Sequence, residues 1–181
     1  RLSTAEKVLK EQIKIGEDEL FYLESVADIL SRARSEAELS AIREELSQSG
    51  YLKRAARSKR KESDKMGPLR YRSSDGFLIL TGRNNLQNDR LTLRESDKHD
   101  IWFHVQKQPG SHTVVVTNGR EVPNATLTEA AIIAAVNSKA RRSSNVAVDY
   151  TMIKYVKKRP GTQPGMVIYT DFKTAIVTPD E

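Results

Sequence analysis

The apolar side chains of the first thirty residues recur at alternating steps of four and three. The steps fall on Leu2, Glu6, Leu9, Ile13, Gly16, Leu20, Leu23, Ala27 and Leu30, apolar at all but Glu6 and Gly16. That is the rhythm of a coiled-coil seam on one long helix, with Ser3 and Glu6 spaced as a capping box at its start. At roughly 1.5 Å per residue the helix is about 42 Å long, against a radius of gyration of about 13 Å for a domain the size of residues 67–181. It is therefore expected to project as an arm, with a seam that needs a partner within a longer parent chain or in a second copy as a dimer. Ser35 and Glu38 form a second capping box, opening a shorter helix with Leu39, Ile42 and Leu46 on one face and Gly50 at the position of a helix-ending glycine. The two helices can close as a hairpin through Ser31–Ser35.

Beyond Gly50 the pattern changes twice. Residues 51–66 carry almost no large apolar side chains after Leu52 and read as a basic linker that cannot bury a face. From residue 67 on, short alternating runs are separated by turn residues. Leu69–Arg72 and Phe77–Thr81 flank Ser73-Ser74-Asp75-Gly76, a hairpin signal. A polar helical segment follows over Leu86–Arg94, then strands over Ile101–Val105 and His112–Thr117 joined by a Pro109-Gly110 turn. Thr126 and Glu129 have capping-box spacing before a helix running to about Arg141, nearly apolar all round and so expected against a sheet. Ala147–Tyr155, Met166–Thr170 and Thr174–Val177 read as further strands. The fold class expected is α+β, a mostly antiparallel sheet covered by one long helix and preceded by the projecting arm. The chain thus divides into an arm (1–50), a linker (51–66) and a domain (67–181).

Charge sharpens this division. The net charge of +6 over 181 residues is unevenly spread: residues 1–50 hold 7 basic and 11 acidic side chains, 51–66 hold 7 and 2, and 67–181 hold 16 and 11. Positive charge beside and within the C-terminal domain points to a polyanionic partner for that part. No apolar run approaches the roughly 20 residues of a membrane span, so no membrane insertion is expected. The start, without Met and directly in a helical pattern, reads as a piece of something longer. The absence of cysteine excludes a disulfide framework and fits a cytoplasmic setting.

Candidate chemistry gathers between Gly82 and His112. Arg83, Asn84, Asn85, Asn88, the single tryptophan Trp102, and His104 and His112 all fall in this stretch, which reads as a surface. Arginine reaches phosphates, asparagine pairs with base edges, and aromatic or histidine faces stack unpaired bases. Lys139, Arg142, Lys157 and Lys158 supply further cations. The competing roles are helix capping for the asparagines and core packing for Trp102. No P-loop or dinucleotide fingerprint is present, Ser111 beside His112 is not a positioned nucleophile, and the histidines lack a convincing ligand set for a metal. No catalytic constellation and no cofactor are expected.

Several ordered blocks carry a family resemblance: GRNNLQND from Gly82, DIWFHVQKQPGSH from Asp100, TLTEAAIIAAVNSKARRSS from Thr126, VDYTMIKYVKKRPG from Val148 and PGMVIYTDFKT from Pro164. Together they resemble the RNA-binding domain of the NFACT family, and residues 1–50 resemble the end of that family's middle coiled-coil region. The resemblance implies a cytoplasmic, ribosome-associated quality-control factor. Such a factor binds obstructed large subunits through RNA and recruits tRNA for C-terminal tailing of stalled chains, with no catalytic residue in this part. Bacterial members are often labelled fibronectin- or fibrinogen-binding proteins, which implies an alternative role as a surface adhesin reached by leaderless export.

Overall fold

The computed structural model describes residues 2–53 and 66–180. Most of the basic linker, residues 54–65, lies outside them. Leu2–Arg32 forms one helix, α1, and Glu36–Gln48 a second, α2, folded back on it. Ser35 caps α2 as its spacing predicts, accepting the Glu38 N–H at 3.2 Å, while Glu38 reaches back to the Arg34 N–H at 2.7 Å. At the other end Tyr51 N–H donates to Leu46 O and Gly50 N–H to Ser47 O. With Gly50 at φ 84°, this is the paired closure of a Schellman motif, which needs a residue in the left-handed region.

The heptad seam lies elsewhere than the packed face. Leu2, Leu9, Ile13, Leu20, Leu23 and Leu30 are all exposed, whereas Tyr22, Val26 and Ile29 are buried against Ile42 of α2. The C-terminal third of α1 therefore uses a neighbouring stripe for the hairpin and leaves the seam to solvent. Ser3 lies inside α1, not at its cap, so its box with Glu6 does not start the helix.

The domain is built on six antiparallel strands: β1 (Leu69–Arg72), β2 (Leu78–Thr81), β3 (Ile101–Val105), β4 (Thr113–Val116), β5 (Val146–Met152) and β8 (Lys173–Val177), in the order β1-β2-β4-β3-β5-β8. A separate two-stranded ribbon pairs β6 (Val156–Lys157) with β7 (Ile168–Tyr169). Helix α3 (Asn85–Arg90) runs into a wide π turn at Leu91–Glu95, and α4 spans Asn124–Val136.

Because strand side chains alternate between faces, β3 supplies both sides of the sheet. Phe103 and Val105 join Ile79, Val115, Val148 and the alanines of α4 in the main core. Trp102 points the other way, into a second cluster with Leu91, Val114, Ile153 and Val156. The small residues Ala130, Ala131, Ala134 and Ala135 are fully buried and let α4 lie close on the sheet. α4 starts earlier than its capping-box spacing predicts. Pro123 occupies the cap position at φ −66° without a side-chain cap, a φ that proline fixes. Thr126 and Glu129 instead secure the β1–β2 turn. The Thr126 hydroxyl donates to Asp75 at 2.8 Å, and Glu129 accepts the Ser74 N–H at 2.9 Å.

Candidate nucleic-acid interface

Half of the polar cluster between Gly82 and His112 is interior. Asn85 is buried, donating its main-chain N–H to Glu45 Oε2 at 2.9 Å and its amide to Glu45 Oε1 at 3.0 Å and Ser25 Oγ at 2.9 Å. Asn88 is fully buried and its Oδ1 accepts the His112 N–H at 3.1 Å. Asn84 caps α3 by accepting the Gln87 N–H at 2.9 Å. The surface reading of Asn85 and Asn88 is thereby corrected: they stitch α3 to the arm and to His112 just before β4, because a buried amide must find donors and acceptors.

The two histidines of the cluster are held by main-chain carbonyls. His112 Nε2 lies 3.1 Å from Gly165 O and Nδ1 2.8 Å from Thr92 Oγ1. A carbonyl only accepts, so Nε2 carries the proton and Nδ1 accepts from the Thr92 hydroxyl. Burial, with His104 and Lys158 nearby, pushes the His112 imidazole down to about 3. Half-buried His104 sets Nε2 3.2 Å from Gly110 O, and burial likewise lowers its pKa. Both rings are neutral at pH 7, so neither is a cation for phosphate.

Trp102 is fully buried and packs among the histidines. Its ring stacks on His104 at 5.7 Å and meets His112 edge-on at 5.3 Å and Tyr169 at 4.8 Å. These rings line a cavity of about 170 Å³, completed by Phe21 of α1, Lys107, Met166 and Val167. Phe21, Lys107 and Tyr169 are members of this site that the sequence pattern did not single out. Tyr169 comes from the β6–β7 ribbon, far along the chain, and only the fold brings it to Trp102.

The cations sort into clamps and free groups. Arg83 pairs with Glu38 at 2.8 Å and donates to Gly67 O at 3.0 Å. Lys158 pairs with Asp89 at 3.0 Å and donates to Gln163 O at 2.8 Å. Arg141 meets the buried Asp28 at 2.8 Å, an acid that also holds Arg32 at 3.0 Å. Lys139 is exposed, 3.9 Å from Glu24. Arg142 and Lys157 are exposed, and neither meets a carboxylate among the described residues. Arg142, Lys139 and Arg141 border an open notch of about 340 Å³ against Glu24 and Asp28 of α1. The sequence-derived set therefore forms no single face: Trp102, His104 and His112 share one cavity, while Arg142 and Lys139 share another.

Comparisons agree with this architecture along its length. Residues 68–171 match the family model described as the NFACT protein RNA binding domain, and residues 1–65 match that of the NFACT N-terminal and middle domains. The Rqc2 homolog RqcH of Bacillus subtilis is 42% identical over 96% of this chain and 30% of its own length, and that of Streptococcus suis 44% identical over 100% and 32%. An archaeal Rqc2 homolog from Methanocaldococcus jannaschii is 32% identical over 57% of the chain. The solved C-terminal part of the fibronectin/fibrinogen-binding protein from Streptococcus suis superposes with a TM-score of 0.91 at 44% identity, covering 99% of this chain and 71% of that one. The chain spans about a third of the length of the curated relatives it matches. With more than half of its residues on the RNA-binding domain model and the expected sheet, helix and arm in place, the chain belongs to the NFACT family.

Proposed function

We propose that the domain beginning near residue 67 is the tRNA- or rRNA-binding module of a cytoplasmic, ribosome-associated quality-control factor. The parent protein would engage obstructed large subunits and recruit tRNA for C-terminal tailing, with α1 and α2 joining this module to the rest of the chain. The observation that carries the reading is the match of residues 68–171 to an RNA-binding domain. The exposed cations Arg142, Lys139 and Lys157 supply the electrostatic means. Arg83 and Lys158, held by acids, are better suited to positioning loops than to gripping phosphate. The exposed seam of α1 is the surface through which the arm would pair, in the parent chain or as a dimer.

The test is tRNA binding by this chain across a salt series, beside fibronectin as a competing ligand. About five phosphate contacts on a single strand give roughly a hundredfold loss of affinity between 50 and 200 mM salt. Salt-independent tRNA binding would overturn the electrostatic reading. Fibronectin binding without tRNA binding would favour the adhesin role suggested by the name of the Streptococcus suis relative.

A further inference from the structure

We propose that the cavity walled by Trp102 receives one unpaired nucleobase of a bound RNA strand. The inference rests on the RNA-binding reading and gives it a place. Among the described residues, Trp102 Nε1 is the only buried side-chain nitrogen or oxygen without a hydrogen-bond partner. Buried polar groups are nearly always paired, and an indole nitrogen can only donate. The missing partner is therefore an acceptor, and Trp102 is one of the residues lining the cavity.

The other walls narrow what that acceptor belongs to. His104 and Tyr169 flank Trp102 at ring-centre distances of 5.7 and 4.8 Å, and Phe21 closes the side nearest the arm. No carboxylate is among the lining residues, and the two imidazoles are held neutral by burial. The interior thus suits a flat, uncharged ring with acceptors on its edge. The cavity, about 170 Å³, equals the space of about five or six waters at about 30 Å³ each, room for one planar heterocycle.

A charge stands at the rim. Lys107 lines the cavity, is exposed, and has no carboxylate partner among the described residues. Its φ of 56° is in the left-handed region, uncommon for a lysine. It follows β3 in the turn Gln106-Lys107-Gln108-Pro109, which fixes the start of its side chain at the cavity mouth. Neutral aromatic interior, unsatisfied donor and cationic rim match the three parts of a nucleotide in order: π-face, acceptor edge and phosphate.

Trp102 is the single tryptophan of the chain, so tryptophan emission, excited selectively over the tyrosines, reports from this cavity alone. The chain is titrated with a mixed-sequence single-stranded RNA and with an abasic ribose–phosphate strand of equal length. The expected result is a change of Trp102 emission with the base-bearing strand only, and affinity for it about tenfold or more above the abasic strand. Lys107→Ala, a surface change, should reduce affinity for the base-bearing strand. Equal affinity for both strands with unmoved emission overturns the pocket while leaving RNA binding through charge intact. Failure to bind either strand overturns both readings. An emission change with an Asn- and Gln-rich peptide, and none with RNA, assigns the cavity to a protein partner and also overturns the proposal.

Discussion

The carboxylate of Glu45 on α2 accepts both the main-chain N–H and the side-chain amide of Asn85 at the start of α3, at 2.9 and 3.0 Å. Tyr22 of α1 donates to the same carboxylate at 2.9 Å. Burial raises the pKa of Glu45, and these donors oppose the shift. One acid thereby joins both helices of the arm to the domain.

Asn85→Ala removes the amide donor to this buried acid and the bond to Ser25. The expected cost is about 1–3 kcal/mol, read as a lower midpoint in urea. Affinity for tRNA should stay within about twofold of the parent, since the side chain is interior. A large affinity loss in a fully folded variant would return Asn85 to the RNA-contact set.

Asp28→Asn breaks the ion pairs with Arg141 and Arg32 together. Because the acid is buried and both arginines lie partly sheltered, the loss should be about 3 kcal/mol, the low end for a broken buried pair. Hydrogen exchange should rise first in the C-terminal turns of α1, where Arg141 ties the helix to the domain. Unchanged exchange there would show that the clamp contributes little.

Gly82→Ala places a methyl onto the Asn88 carboxamide, the group that accepts the His112 N–H. Either Asn88 leaves its bond or the loop moves, at an expected cost of about 1–3 kcal/mol from the unpaired buried group. Thermal unfolding measures it. A melting temperature equal to the parent's would mean that the loop yields freely.

Acid sensitivity should follow from His112. Its folded pKa is pushed down from 6.5 to about 3, so between these values the unfolded chain binds a proton that the native chain refuses. Stability is therefore complete above about pH 6.5 and falls as pH drops towards 3, by about 1.4 kcal/mol per pH unit for this one group. His104, also lowered, acts in the same direction; Glu45, whose pKa is raised, opposes it between its own unfolded and folded values. His112→Gln should flatten the acid limb of a stability–pH curve. An unaltered slope would place the sensitivity elsewhere.

Arg142→Glu with Lys157→Glu should weaken tRNA binding and make its salt dependence shallower by about 0.7 per lost contact on a single strand. Fluorescence anisotropy at several salt concentrations gives both values. Weaker binding at an unchanged slope would indicate damage to shape, not lost phosphate contacts.

Local pattern made much of the architecture legible. Leu69–Arg72 and Ile101–Val105 form strands over the residues expected: the first alternates half-buried and exposed positions, as a strand with one solvated face does, while the second is covered on both faces. Ser35 caps α2 because an exposed helix start has only its own side chains to use, while Thr126 does not cap α4 because Pro123 had already fixed the entry. What local pattern missed was long-range pairing. Asn85 and Asn88 look like surface residues until Glu45, forty positions earlier, and His112 are set beside them. One signal was available: Glu45 lies beside Ile42 and Leu46 on the apolar stripe of α2, and an acid there demands buried donors. Trp102 and His104 on one side of β3 followed from alternation, but Tyr169 and Phe21 opposite them did not.

The latch at Glu45, Ser25 and Asp28 grips only the last third of α1. From Leu20 back to Leu2 the helix extends about 27 Å at roughly 1.5 Å per residue, along residues exposed to solvent. It is a lever with its fulcrum on the domain: a tilt of about 10° at the latch sweeps the tip by about 5 Å at this helical rise. Small adjustments where Asn85 meets Glu45 are thus magnified at the far end of α1, and movement there returns to the domain as torque on α3 and the Trp102 cavity.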